Sequence, residues 1–235
     1  MPENNIRIEM VLSCQALDRS GLNRGASGNL SVRDGTDMLI TPSAVAYDEI
    51  APEMMARMPL AADDDAYEGP KKPSSEWRFH RDILMARPDV NAVVHTHAPF
   101  CTILSIARKP IPAIHYMMAA FGGTDVRVAD YARYGTAALS GHVIRAMEGR
   151  NGCLMANHGM LVAAADLTRA VWLAEELEAL AHQYYHALAI GGGHVLTDGQ
   201  IAETLKGFAS YGVQAKRPSE ERAACPFINQ KKANR

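Results

Sequence analysis

The sequence lacks most of the features that would settle a class at sight. Its 235 residues include four cysteines, Cys14, Cys101, Cys153 and Cys225, and no two of them form a C-x-x-C pair. Thiols so widely spaced read as free cysteines of a reducing cytosol, not as a disulfide framework. None has a neighbour that would activate it as a nucleophile. No apolar run reaches 18 residues, so no membrane partner is expected. The opening MPENNIRIEM has no apolar core before a small-residue cleavage site. A secretory leader is therefore not expected, and the cytoplasm is the expected compartment. Positive charge is not in excess: 24 Lys and Arg against 26 Asp and Glu give −2, which argues against a nucleic-acid partner. There is no internal repeat, no low-complexity block, and neither a Walker A nor a Rossmann glycine fingerprint.

What is present is an ordinary soluble composition, 48% hydrophobic and 21% charged. A chain of this length buries roughly 70% of its unfolded surface, enough for a core without staples. Apolar spacing predicts helices over 5–20, from about 76 to 87, over 99–108, across 129–148, over 166–190 and over 203–211. Alternation and short apolar runs predict strands at 30–33, 38–40, 92–97, 153–156 and 160–163, with turns at Asp34-Gly35 and Asn157-His158-Gly159. Strands and helices interleave, and the tight turns favour antiparallel pairing. The expected architecture is one mixed α/β domain whose helices cover a sheet, followed by a basic tail from Lys216 that is either mobile or draped on a neighbouring subunit.

Chemistry concentrates at His95-Thr96-His97. On a strand, positions i and i+2 face one way, about 6.5–7 Å apart, so two imidazoles can share one ion. An H-x-H pair by itself is more often two satisfied core histidines. His158 stands where an apolar run breaks, and Glu76 opens a helix behind two serines. Each alone is an ordinary turn histidine or first-turn acid. Together, three imidazoles and a carboxylate compose a Zn²⁺ shell with a labile fourth ligand, and nitrogen donors favour zinc over magnesium or calcium. Spacing alone leaves open whether the four meet. Glu178, His182 and His186 recur every four residues on the long helix and read as a solvated stripe. His80, His115, His142 and His194 have no partner spacing. Gly28-Asn29, Thr41-Pro42-Ser43 and Ser74-Ser75 offer N–H groups and hydroxyls, the serines at a helix start that suits a sugar phosphate. Each piece alone is ordinary turn or cap chemistry.

In order along the chain, GLNRGASGNLSVR, LITPS, KPSSEWRFH, VVHTH, IPAIHYM and NHGML resemble the class II aldolase/adducin family from about Gly21 to Tyr211. The resemblance implies a three-layer α/β/α fold with a mostly antiparallel central sheet over residues 1–215, and a homotetramer with active sites at subunit interfaces. It implies one Zn²⁺ per subunit held by His95, His97 and His158, with Glu76 as ligand and as acid/base. It implies a phosphate site from Gly28, Asn29, Ser43, Ser74 and Ser75, and catalytic tyrosines at Tyr116 and Tyr211. The implied reaction is retro-aldol cleavage of a ketose 1-phosphate, such as L-fuculose 1-phosphate, to dihydroxyacetone phosphate and an aldehyde. Aldolases for 5-deoxypentulose or 5-methylthioribulose 1-phosphate, sugar-phosphate epimerases or decarboxylases, and a non-catalytic adducin-like interaction module share the scaffold. Met117, Met118 and Phe121, which follow Tyr116, would suit an apolar aldehyde tail. The family's T-P-T-G reads Thr41-Pro42-Ser43-Ala44 here, the 61–72 loop departs in length and charge, and the stretch past about Gln214 has no counterpart.

Overall fold

The computed structural model describes residues 3–208 except residue 63. Tyr211, the 216–235 tail and the expected domain limit near 215 lie outside them. The strands are β1 (Asn29–Asp34), β2 (Asp37–Ile40), β3 (Ala56–Pro59), β4 (Ala92–Thr96), β5 (Ile111–Pro112), β6 (Asp125–Ala129), β7 (Gly152–Met155) and β8 (Gly159–Ala164). The helices are α1 (Glu3–Arg19), α2 (Trp77–Ala86), α3 (Pro99–Ile106), α4 (Ala137–Ala146), α5 (Leu167–Ala189) and α6 (Asp198–Phe208).

The strands form one sheet in the order β3-β2-β1-β4-β8-β7-β6-β5. Pairing is antiparallel throughout except between β6 and β7, which are joined through α4. Side chains alternate across the sheet. Ala92, Val94 and Met160 join a core with α1, α3 and α5, while Val93, Leu161 and Ala163 join a second core with α2 and α4. Two cores on opposite faces make three layers.

Local chemistry explains the helix starts. The Thr136 side chain accepts from Leu139 N–H ahead of α4, and the Asp166 side chain accepts from Arg169 N–H ahead of α5. The 129–148 stretch expected as one helix is the end of β6, a loop and α4. Gly135, at φ +73, breaks the helical run, and Ala129 belongs to β6. The short strands β3 and β5 and the 3-10 segment Tyr116–Phe121 carry little periodicity and were not foreseen. No described helix is long and apolar enough to cross a membrane.

Candidate active site

β4 lies at the middle of the sheet, between β1 and β8. Register sets Asn29 of β1 opposite His95 and Ser31 opposite Val93, so Asn29, Ser31 and His95 share the face covered by α2. His97 continues that face just beyond β4. His158 precedes β8 in the turn from β7, where Asn157 takes the left-handed conformation at φ +56, one that asparagine tolerates. A Cβ on Gly159 would overlap the Thr96 carbonyl oxygen and stand 3.0 Å from the His97 ring. Glycine there lets the turn close against both histidines.

Glu76 completes the group from the N-terminus of α2. It occupies the cap position, but its side chain makes no cap hydrogen bond. The carboxylate instead stands 3.4 Å from His95 Nε2 through Oε2 and 3.3 Å from His158 Nε2 through Oε1. The Nε2 atoms of His95 and His97 are 3.1 Å apart, and one ligand atom from each of the three histidines lies within 4.8 Å of the others. His95 Nδ1 is 2.8 Å from the Met160 carbonyl oxygen. Nδ1–H therefore donates there and the Nε2 lone pair points into the group, the arrangement of metal-bound histidines. His95 is fully enclosed. Its pKa falls well below the ordinary imidazole value, chiefly because burial disfavours the charged form and secondarily because His158 and His97 repel it.

These residues fit a tetrahedral divalent ion. Arms of about 2.0–2.1 Å give edges of about 3.3 Å; the separations of 3.1–3.4 Å are close to that, and the widest histidine pair, within 4.8 Å, would draw in around an ion. Glu76 Oε1 is buried with no hydrogen-bond partner, and a cation would satisfy it.

Beside the group opens a cleft of ≈ 370 Å³. Gly28, Asn29, Ser43, Ser74 and Ser75 all line it, with Glu76, His97 and His158. The 72–75 segment is strung against 41–43: Ser43 N–H donates to Lys72 O and Ser74 N–H to Thr41 O, both at 2.9 Å. That pairing brings the hydroxyls of two distant sequence segments to one wall. Gly28, at φ +76, packs so closely on the Asn23 side chain that a Cβ would reach 2.7 Å from its Cγ. Tyr134 also lines the cleft; its isolated place in an exposed loop gave sequence reasoning no signal.

The remaining singled-out residues lie away from the cleft. Tyr116 is 49% exposed, does not line the cleft, and meets Phe208 at 6.5 Å between ring centroids. Met118 and Phe121 are buried in the core with α1, α3 and α5, so they cannot line an aldehyde pocket. Of the stripe expected to face solvent, His182 and His186 are exposed, but Glu178 is half-buried. It accepts N–H bonds from Phe100 and Cys101 at 2.8 and 2.9 Å, while His182 stacks on Phe100 at 4.1 Å. Cys14, Cys101 and Cys153 are buried free thiols with raised pKa values, burial being the largest cause in each.

Residues 8–185 match the family model of the class II aldolase and adducin N-terminal domain. A 5-methylthioribulose-1-phosphate/5-deoxyribulose-1-phosphate aldolase of Rhodospirillum rubrum is 45% identical over 221 residues, covering 93% of this chain and 99% of that protein. The L-fuculose phosphate aldolase of Escherichia coli K12 is 42% identical over 215 residues, covering 91% and 99%. A solved structure of an L-fuculose 1-phosphate aldolase superposes with a TM-score of 0.83 at 38% identity, over 87% of this chain and 96% of that one.

Proposed function

Since the chain belongs to the class II aldolase and adducin family, we propose that it is a zinc-dependent aldolase cleaving a ketose 1-phosphate to dihydroxyacetone phosphate and an aldehyde. The observation that carries this reading is the convergence of Glu76, His95, His97 and His158 on one point beside a hydroxyl-lined cleft. In this reading His95, His97, His158 and Glu76 hold the ion. A bound Zn²⁺ supplies Lewis acidity, stabilising negative charge that builds on the substrate as its C3–C4 bond breaks.

The chain's own residues do the rest. Gly28, Asn29, Ser43, Ser74 and Ser75 bind the phosphate, helped by the N-terminus of α2. Anchoring the remote phosphate orients the reacting carbons. Cleavage removes the proton of the C4 hydroxyl, leaves the aldehyde, and moves the bonding pair toward C2. Glu76, having taken up a proton from solvent, delivers it to C3, giving dihydroxyacetone phosphate. We assign the C4 oxygen proton to Tyr116 of an adjacent subunit in a homotetramer, with Tyr211 as a second tyrosine. The exposure of Tyr116 and its absence from its own cleft support that assignment.

The aldehyde portion is read from the relatives: 5-methylthioribulose and 5-deoxyribulose 1-phosphates rank ahead of L-fuculose 1-phosphate, since the 45% identical relative carries the former names. A panel of these ketose 1-phosphates, scored by release of dihydroxyacetone phosphate with and without chelator, tests the reading. Chelator should abolish cleavage and added Zn²⁺ restore it. Chelator-resistant cleavage with borohydride trapping would point to a lysine imine, and turnover without dihydroxyacetone phosphate to an epimerase or decarboxylase.

A further inference from the structure

His80 belongs neither to the ligand group nor to the cleft wall, yet it is completely enclosed and both its ring nitrogens are engaged. It lies one turn beyond Glu76 on α2, over β1. Its Nδ1 is 2.9 Å from Ser31 Oγ and its Nε2 is 2.5 Å from Asn29 Oδ1. Asn29 Nδ2 in turn donates to Glu76 Oε2 at 2.9 Å. The ring stacks on Phe79 at 4.8 Å, and Phe79 meets His95 edge-on at 5.6 Å.

The donors and acceptors fix the polarity of this chain. A carboxylate only accepts, an amide donates from one end and accepts at the other, and a neutral imidazole carries one N–H and one lone pair. Glu76 therefore takes the NH₂ end of Asn29. Oδ1 is left facing His80 Nε2, which must carry the hydrogen. Nδ1 keeps its lone pair, and the Ser31 hydroxyl donates to it. Opposite polarity would set Asn29 Oδ1 against Glu76 Oε2, two acceptors in contact. Burial keeps the ring neutral, pushing His80 down to about 3. The chain ends on one carboxylate oxygen only: Oε1 is buried without a hydrogen-bond partner, 3.3 Å from His158 Nε2.

We propose that His80, locked as the Nε2–H tautomer between Ser31 and Asn29, is a positioning residue that ties down Glu76 Oε2 and leaves Oε1 as the oxygen that carries the proton. In the step it serves, Oε1, freed from any bound ion by the arriving substrate, takes a proton from solvent and gives it to C3, whose carbanionic electron pair forms the new C–H bond. Glu76 returns to carboxylate with its Asn29 bond intact throughout. The proposal rests on the aldolase reading of the site.

The test compares zinc-loaded full-length protein with His80→Gln and His80→Asn. The glutamine amide reaches the Nε2 position and keeps the bond to Asn29. The asparagine amide reaches only the Nδ1 position and loses it. His80→Asn should lower kcat by about 10–100-fold, the range seen when outer partners of a metal site are removed, and raise KM far less, since Asn29 also lines the phosphate cleft. His80→Gln should recover most of that loss. Deuterium incorporation from solvent into dihydroxyacetone phosphate, without aldehyde, should fall in parallel with kcat. Nitrogen-15 NMR of the metal-free protein should show His80 protonated at Nε2 and bare at Nδ1 through neutral pH. A ring protonated at Nδ1 overturns the proposal, as does parental kcat in His80→Asn or equal loss in both variants. If neither variant folds, the NMR result decides alone. Wild-type protein that cleaves no ketose 1-phosphate defeats the functional reading instead, a failure the tautomer measurement does not share.

Discussion

Ala44 occupies a backbone conformation that side chains avoid. Its φ is +56, where a Cβ costs about 1–2 kcal/mol and glycine costs nothing sterically. Related sequences are expected to carry glycine there. Ala44→Gly should raise stability by up to about 1 kcal/mol after the entropy lost on ordering glycine, lifting Tm by about 2–4 °C in a chain this size. Thermal unfolding measures it; unchanged or lower Tm would show that contacts of the Ala44 methyl outweigh the strain. A second residue sets a pH dependence. His80 titrates at about 3 in the folded protein against 6.5 ordinarily, burial being the first cause and nearby His95 the second. Between those values the unfolded chain binds a proton that the folded chain refuses. Its contribution is therefore complete above about pH 6.5 and falls as pH drops, by up to about 1.4 kcal/mol per pH unit. Denaturant titrations from pH 7 to about 4.5 on metal-free protein should show a shallower decline in His80→Gln than in the parent. At this scale the sequence displayed the donor types of the site, because H-x-H on a strand and an acid at a helix start follow from local periodicity. It hid the Asn29–His80 link, because 51 residues separate the partners and only the docking of α2 over β1 brings them together.

Among the elements, α3 depends on a side chain from elsewhere. Its cap residue, Ala98, offers no side-chain acceptor, and Glu178 of α5 fills that role with both carboxylate oxygens. Because α3 begins two residues after His97, this anchor also fixes where the H-x-H strand ends. Glu178→Ala should cost about 1–2 kcal/mol, the range for losing a cap, and weaken metal affinity measurably. Glu178→Gln, which keeps one acceptor oxygen, should retain part of both. A stability change within about 0.5 kcal/mol, ordinary for surface sites, would assign Glu178 to the surface after all. Long periodic elements such as α5 were legible from sequence. Glu178's contact was not, since an acid at four-residue spacing from two histidines looks the same whether it faces water or a neighbouring helix. The 129–148 stretch differs because its first residue closes β6 and Gly135 interrupts the chain before Thr136 caps α4.

For the whole molecule, the functional reading requires more than one chain. Glu76→Gln should reduce kcat by about 10²–10⁴-fold, the contribution of a positioned acid/base. Tyr116→Phe should also impair turnover. If neighbouring subunits complete each site, co-expressing the two variants restores about a quarter of sites under random assembly. Activity in the mixed oligomers well above either parent is the expected result, and none above the parents would place both groups in one subunit. Antiparallel pairing under covering helices was legible because alternation and tight turns specify antiparallel neighbours, and the three layers followed from the family resemblance. The strand order, with β8 inserted beside β4, arises from long-range contacts that no local pattern encodes.

That insertion orders events in time. His95 and His97 stand one residue apart in the chain, but His158 and Glu76 reach them only once β8 has zipped alongside β4 and α2 has docked above. An unfolded polypeptide offers an ion only a two-pronged chelate. Contacts of such large sequence separation form late, after loop closure. An ion bound there would latch a finished sheet, lengthening the native lifetime while leaving the rate of assembly untouched.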